Sequence, residues 1–437
     1  MNDTEFTKTE KQMKQLFATD LLNSIAGQTA FVKRSREITG RNIALSLIHS
    51  LSSGKIEGIA DLQRGFNEIT GKNIQYKPFW NQLAKPEFPR YAMETLEQIM
   101  TSFSLQSMQA VDTRALSQFK DIVIQDGSSF AVNDALSKVF PGRFTKTSPA
   151  AVELHATMSL FANNMTNIAL SADKDGERQF LPDPDDLKEK LLLADRGYEN
   201  IFYCDDVHNA GGNFIIRFKG SSNPTVIAAR DAHLRNINIK EMPLKKAVKK
   251  FRKQPVDLDV RWTKGKRKIL LRMIVTWNPK KKQYWLLVTN LKREQFPLDL
   301  ITQYYRLRWQ IELVFKEWKS YANLHKFDTE KANIAEGLIW FSIAAAFIKR
   351  YLALAVQQIS QTAEISTRKV AMCLKMHFTR LVTMLMQRRK IEAALKELVF
   401  FLSRNAKRAH PKRDRTLGSR NCGLEARIVI EWGGLKD

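Results

Sequence analysis

Two short strand-forming runs each stop at an aspartate. Ile122-Val123-Ile124-Gln125 leads into Asp126-Gly127-Ser128-Ser129, and Leu191-Leu192-Leu193-Ala194 leads into Asp195-Arg196-Gly197-Tyr198. Strand ends are where α/β folds expose reactive groups, so two such carboxylates on neighbouring strands can converge within metal-bridging distance. A helix cap or a turn residue is the other reading of each aspartate. Further strands are predicted at residues 153–161 and 166–171, joined by a turn at Ala162-Asn163-Asn164-Met165, and at 213–219. A short acidic helix is predicted at 185–190. Strands mixed with helices imply an α/β fold with a mixed sheet.

Around this core the texture changes. Residues 1–115 read as short helices with basic turns, among them Lys33-Arg34-Ser35-Arg36. The window 240–272 holds 13 Lys/Arg and 3 Asp/Glu, followed by strand-like stretches at 269–277 and 284–289. This implies a basic, β-rich insertion over 220–290. From Leu298 the chain is helical almost to its end. The expected units are therefore 1–115, a core in two parts at 116–219 and 291–355, the insertion at 220–290, and a helical region at 356–437.

With 437 residues and 44% hydrophobic content, the chain can bury a real core, which excludes wholesale disorder. Its three cysteines (Cys204, Cys373 and Cys422) are far apart and form no disulfide framework or zinc motif. The first ten residues do not read as a targeting signal, and the apolar run 337–348 is too short to span a bilayer. The expectation is a cytoplasmic, nucleoid-associated protein without membrane contact. Against 45 Asp+Glu stand 70 Lys+Arg, a net charge of +25, and the commonest intracellular polyanion is nucleic acid.

The most informative segment is Tyr305-Arg306-Leu307-Arg308-Trp309-Gln310-Ile311-Glu312-Leu313-Val314-Phe315-Lys316-Glu317-Trp318-Lys319. On one continuous helix, Tyr305, Arg308, Glu312 and Lys319 fall on a single stripe, beside an apolar face of Leu307, Ile311, Val314, Phe315 and Trp318. A glutamate between two cations suits a metal ligand beside a phosphate backbone. An amphipathic helix with an ordinary Arg308–Glu312 pair fits the same spacing. Trp309 is expected in the core rather than in a base pocket. His155 is left outside the site, and Cys204 and the acidic stretch of Asp173, Asp175, Asp183, Asp185 and Asp186 are read as structural or solvated.

The Tyr-x2-Arg-x3-Glu-x6-Lys pattern resembles the helix motif of DDE transposases of bacterial insertion sequences, the insertion-sequence-4 family. Asp126-Gly127-Ser128 resembles that family's first aspartate motif and Ala194-Asp195-Arg196-Gly197-Tyr198 its second, and the order of aspartates, insertion and glutamate agrees. The resemblance covers about residues 119–330. It implies a ribonuclease-H-like core in which Asp126, Asp195 and Glu312 are catalytic and hold two Mg²⁺ ions, with Mn²⁺ as a substitute, for in-line phosphoryl transfer. It further implies that Tyr305, Arg308 and Lys319 grip phosphates, and that Trp285 stacks on a flipped base during hairpin formation. Double-stranded DNA, as transposon ends and target, is the implied partner, bound by a homodimer in a synaptic complex. The run Lys264-Gly265-Lys266-Arg267-Lys268 is expected to put Lys264, Lys266, Arg267 and Lys268 along DNA backbone. A repurposed transposase acting as a DNA-binding regulator, or a ribonuclease-H-like nuclease that never joins ends, fits the same residues.

Overall fold

A computed structural model describes residues 2–34, 36–53, 56–104, 118–162, 164–239, 241–321, 324, 328–361 and 365–407, with Ser53, Ser104, Asn164, Lys264, Tyr321, Lys375 and Met376 described by their backbone alone. Cys422 and the basic tail beyond residue 407 lie outside the described residues.

One mixed sheet organises the chain. Its strands are β1 (Ile122–Ala131), β2 (Ala151–Ser159), β3 (Asn164–Ala172), β4 (Leu191–Ala194), β5 (Asn213–Phe218), β6 (Thr225–Arg230), β7 (Met242–Pro243), β8 (Val256–Lys264), β9 (Arg267–Asn278) and β10 (Gln283–Thr289). They lie in the order β3-β2-β1-β4-β5-β10-β9-β8-β6-β7. Three antiparallel strands, β3-β2-β1, are followed by β4 and β5 running parallel to β1. That arrangement is the ribonuclease-H-like core expected from the motifs. The stretch read as an insertion does not stand apart from it, because β10 pairs antiparallel with β5 and extends the core sheet.

Fully buried strands need apolar cover on both faces. One face carries Val123, Leu192 and Phe214, packed under α7 (Ile201–Asn209) and α8 (Leu244–Ala247). The other carries Ile122, Ile124 and Leu193, packed against helices from both ends of the chain. These are α1 (Asp3–Leu16), α2 (Thr19–Gln28), α3 (Gly40–Ser53), α4 (Ile59–Thr70), α5 (Tyr76–Leu83) and α6 (Phe88–Ser104), followed by α9 (Leu298–Arg306), α10 (Trp309–Tyr321), α11 (Ala332–Ser360), α12 (Thr367–Met386) and α13 (Glu392–Asn405). The N-terminal and late helices, read from sequence as separate regions, share one hydrophobic core.

Helix α11 runs through the middle of that body. The apolar run 337–348 is part of this 29-residue helix, which is long and apolar enough to cross a membrane but has its most apolar window wholly buried. Its two cations, Lys349 and Arg350, are also buried, and Arg350 Nη1 lies 3.7 Å from Glu317 Oε2 on α10. The predicted acidic helix at 185–190 is instead a short 3-10 turn, Pro184–Leu187, capped by the Asp183 side chain.

Candidate active site

Strands β1 and β4 are in parallel register, with Gln125 beside Ala194, so Asp126 and Asp195 are the next residues on adjacent strands. Asp126 is not at a strand end. Strand β1 continues to Ala131 against β2, and Asp126 pairs with Ala156. It is β4 that stops, at Ala194, which strips Asp126 of its neighbour on that side and leaves room for a side chain from above.

That side chain comes from the break between α9 and α10. The expected single helix is interrupted at Leu307 and Arg308, where Arg308 N bonds Tyr305 O and Ile311 N bonds Arg308 O, both i→i−3 contacts. Neither proline nor glycine is present there. The break turns Arg308 inward to 8% exposure. Its Nη1 donates to Asp126 Oδ2 at 2.5 Å and its Nη2 to Glu312 Oε1. Tyr305 donates its hydroxyl to Asp195 Oδ1 at 3.1 Å. Lys319, farther along α10, donates to the carbonyl of Ser129 on β1 at 2.7 Å. The four motif side chains thus reach the site although no single helical stripe carries them.

Electrostatics follow from this packing. Burial pushes the Asp126 carboxyl up to about 7; Arg308 and the Gly127 N–H pull it down, while the charges of Asp195 and Glu312 push it up again. Burial raises Asp195 too, but Arg308, the Arg196 N–H, Arg217 and Tyr305 outweigh it and hold the carboxyl below its usual range. Burial opposes the charge on Arg308, and Asp126, Tyr305, Glu312 and Asp195 together reverse that, so the guanidinium stays firmly protonated. Burial lowers Lys319.

Asp126 and Glu312 on Arg308, and Asp195 on Tyr305 and Arg217, offer hard oxygen donors of the kind Mg²⁺ or Mn²⁺ takes. Among the described residues no three acidic, histidine or cysteine side chains stand at metal-holding spacing, and Arg308 lies between Asp126 and Glu312. The residues fit a divalent ion in charge and ligand type, provided Arg308 moves aside.

Sequence reasoning missed Arg217, the lone cation in the strand Asn-Phe-Ile-Ile-Arg-Phe. Its Nη1 donates to Asp195 Oδ1 at 3.4 Å, and its guanidinium lies 4.7 Å from the centre of the Trp285 ring. Trp285 is thereby tied to the site, with its indole Nε1 buried and without a partner among the described residues. A second missed group lies on the opposite face of the sheet. Arg143 donates to Glu153 at 3.0 Å, sits 3.5 Å from Glu177, and donates its backbone N–H to Asp173 Oδ2 at 2.8 Å. Burial and the Glu177 charge push Glu153 up to about 7, against Arg143. Asp173 is accordingly buried, not solvated as expected. Both motif glycines are close approaches: a methyl group on Gly127 would meet Glu153 Oε1 at 2.8 Å, and one on Gly197 would meet Glu177 Oε2 at 1.4 Å.

Other expectations change. Trp309, the first residue of α10, is 47% exposed and not in the core. Arg272, the end of the basic window, is buried: its Nη2 donates to Asp257 Oδ2 at 2.7 Å, so it does not face DNA. Lys266, Arg267 and Lys268 are exposed at the β8–β9 hairpin, where Gly265 has a φ of +58°, and the Lys264 side chain lies outside those described. Arg267 reaches the Phe202 ring on α7, at 5.6 Å. His155 stacks on Phe180 at 3.7 Å and bonds Ser171, and Cys204 is buried, both as structural residues.

A family model described as "Transposase DDE domain" matches residues 117–348. The transposase for insertion sequence element IS231C of Bacillus thuringiensis subsp. berliner is 24% identical, over 95% of this chain and 94% of the relative. The transposase for insertion sequence element IS1151 of Clostridium perfringens is 22% identical, over 71% and 73%. A solved synaptic complex of piggyBac transposase with hairpin DNA overlaps 91% of this chain and 85% of that one, at 12% identity and a TM-score of 0.45, a likeness too loose to assign residues.

Proposed function

The chain belongs to the DDE-domain transposase family and is a DNA transposase, and from that premise we propose that it binds the terminal inverted repeats of its element, cleaves them, and joins the freed 3′ ends to target DNA. The observation that carries the reading is that Arg308 pairs with both Asp126 and Glu312 while Tyr305, three residues earlier, bonds Asp195.

Asp126, Asp195 and Glu312 would hold two divalent ions, Mg²⁺ or Mn²⁺, which when bound polarise the scissile phosphate and lower the pKa of an attacking hydroxyl. The chain's own residues do the rest. A water oxygen attacks phosphorus, the bond to the bridging 3′ oxygen breaks, and the 3′ hydroxyl is released; that hydroxyl then attacks a target phosphate in the same way. Arg308, drawn off the carboxylates by a phosphate, grips it through two N–H groups, while Lys319 supplies a point charge beside β1. Tyr305 holds Asp195 in place through its hydroxyl. Trp285, held against Arg217 and carrying a buried N–H, is suited to stack on a base extruded in a hairpin intermediate. Two copies of the chain would hold the two ends in a synaptic complex.

Incubating the protein with Mg²⁺, a target plasmid and a duplex carrying the element's end joined to flanking DNA tests this. Joined products are expected. Cleavage without joining would convert the reading to a nuclease, and tight binding without cleavage to a regulator. Trp285→Ala is expected to remove hairpin product while sparing the first nick; unchanged hairpin yield would end its stacking role.

A further inference from the structure

The helical body carries two short basic loops, one near each end of the described sequence, that the fold sets side by side. Arg41, in the first turn of α3, is the pin. Its Nη2 donates to the carbonyl of Leu385 and its Nη1 to that of Met386 at 3.1 Å, the last two residues of α12, while its Nε donates to Phe17 O at 3.0 Å. Capping a helix C-terminus with a buried arginine is favourable, because it satisfies carbonyls that have no partner within the helix. The start of α3 is therefore fixed to the end of α12. The loop that enters α3 and the loop that leaves α12 must then emerge together.

Both loops are strongly basic. Lys33, Arg34 and Arg36 are exposed in the first, and Arg388, Arg389 and Lys390 in the second. The only acid in 33–39 is Glu37, and there is none in 387–391. Arg388 lies close enough to Arg41 for its charge to lower that group's pKa, after the larger effect of burial. No large apolar side chain is exposed in either loop. The patch thus offers charge without an apolar wedge, which suits a phosphate backbone better than a lipid surface or a flipped base.

We propose that these two loops form one composite surface that docks the phosphate backbone of duplex DNA, so that the helical region after the catalytic core shares in DNA binding with the first helices. The inference rests on DNA being the partner and is independent of which sequence the protein recognises.

The test is the salt dependence of binding, read by fluorescence anisotropy on the full chain with two duplexes, one carrying the element's end and one of mixed sequence. One variant combines Lys33→Ser, Arg34→Ser and Arg36→Ser. A second combines Arg388→Asn, Arg389→Ser and Lys390→Ser, with asparagine chosen because Arg388 has a φ of 56°. A control removes the same charge at the β9–β10 turn, with Lys280→Ser, Lys281→Ser and Lys282→Asn, asparagine again because Lys282 has a φ of 48°. Each loop variant is expected to flatten the slope of log K against log salt by about two on both duplexes, and the control by less than about one. Loop variants that shift the slope no more than the control would overturn the surface. Equal affinity for the two duplexes would count against end recognition and leave this proposal standing, since backbone contacts carry no sequence information.

Discussion

Arg308 sits where a cation is wanted, between Glu312 and the Asp126 carboxylate that burial would otherwise neutralise. Removing one partner of such a buried cluster leaves uncompensated charge. Arg308→Gln is expected to cost about 3 kcal/mol of stability in the absence of divalent ions, with the glutamine too weak a donor to replace a guanidinium. Mn²⁺ should restore much of that loss, because the vacated carboxylates then take the ion. Thermal melts of wild type and variant, with and without Mn²⁺, measure both effects. A variant whose melting temperature ignores Mn²⁺ would mean that the three carboxylates do not form a cation site. The same residue shows what spacing alone conveys. Tyr305, Arg308, Glu312 and Lys319 were legible as a set, but their delivery through a helix break was not, since no proline or glycine marks it. Arg217 was legible only as an odd charge in an apolar strand; its bond to Asp195 joins residues 22 apart that meet only in the folded sheet.

At the level of elements, two buried contacts tie the sheet and helices together. Arg272 on β9 is satisfied on every side: by Asp257 on β8, and by the carbonyls of Leu291 at 3.1 Å and Phe296 at 2.7 Å in the segment leading to α9. Arg272→Met is expected to cost about 3 to 5 kcal/mol, read by urea denaturation, because Asp257 at 0% exposure would keep only Arg293. A change under about 1 kcal/mol would show that the network is not structural. The second contact is His49 on α3, whose Nε2 lies 2.8 Å from the Thr379 hydroxyl on α12. Burial lowers its pKa from 6.5 to about 4. Between those values the unfolded chain binds the proton and the folded chain does not, so stability falls as pH drops from 6.5 to 4, by up to about 3 kcal/mol. His49→Gln should lose that share of the pH dependence; an unchanged difference between pH 6.5 and pH 4 would contradict it. Strand positions were legible because alternation and turn residues are local signals, and boundaries at β2, β3, β9 and β10 fall within a few residues of expectation. That α3 and α12 share a core was not, because both are amphipathic helices whose partners are chosen by tertiary packing.

On the scale of the whole molecule, one sheet carries Asp126 at its parallel centre, with Asp195 just past the end of β4, and the basic β8–β9 hairpin on its extension, with a single helical body on one face. Composition announced the partner through its +25 charge. It could not say which cations are available, and the fold removes Arg272, Arg308, Lys349 and Arg350 from the surface while leaving the hairpin and the two loops exposed. On the proposed reading, Asp126, Asp195 and Glu312 act as one phosphoryl-transfer site. Single-turnover strand transfer in Mg²⁺, with pre-cleaved end DNA and a target plasmid, tests it most directly on Asp126→Asn, Asp195→Asn and Glu312→Gln, alongside end binding by each variant. The account predicts loss of joining by at least about a thousandfold in all three with DNA binding retained, consistent with removal of an obligatory charged group from a catalytic site. Wild-type joining by any one of them would remove that residue from the site and contradict the account.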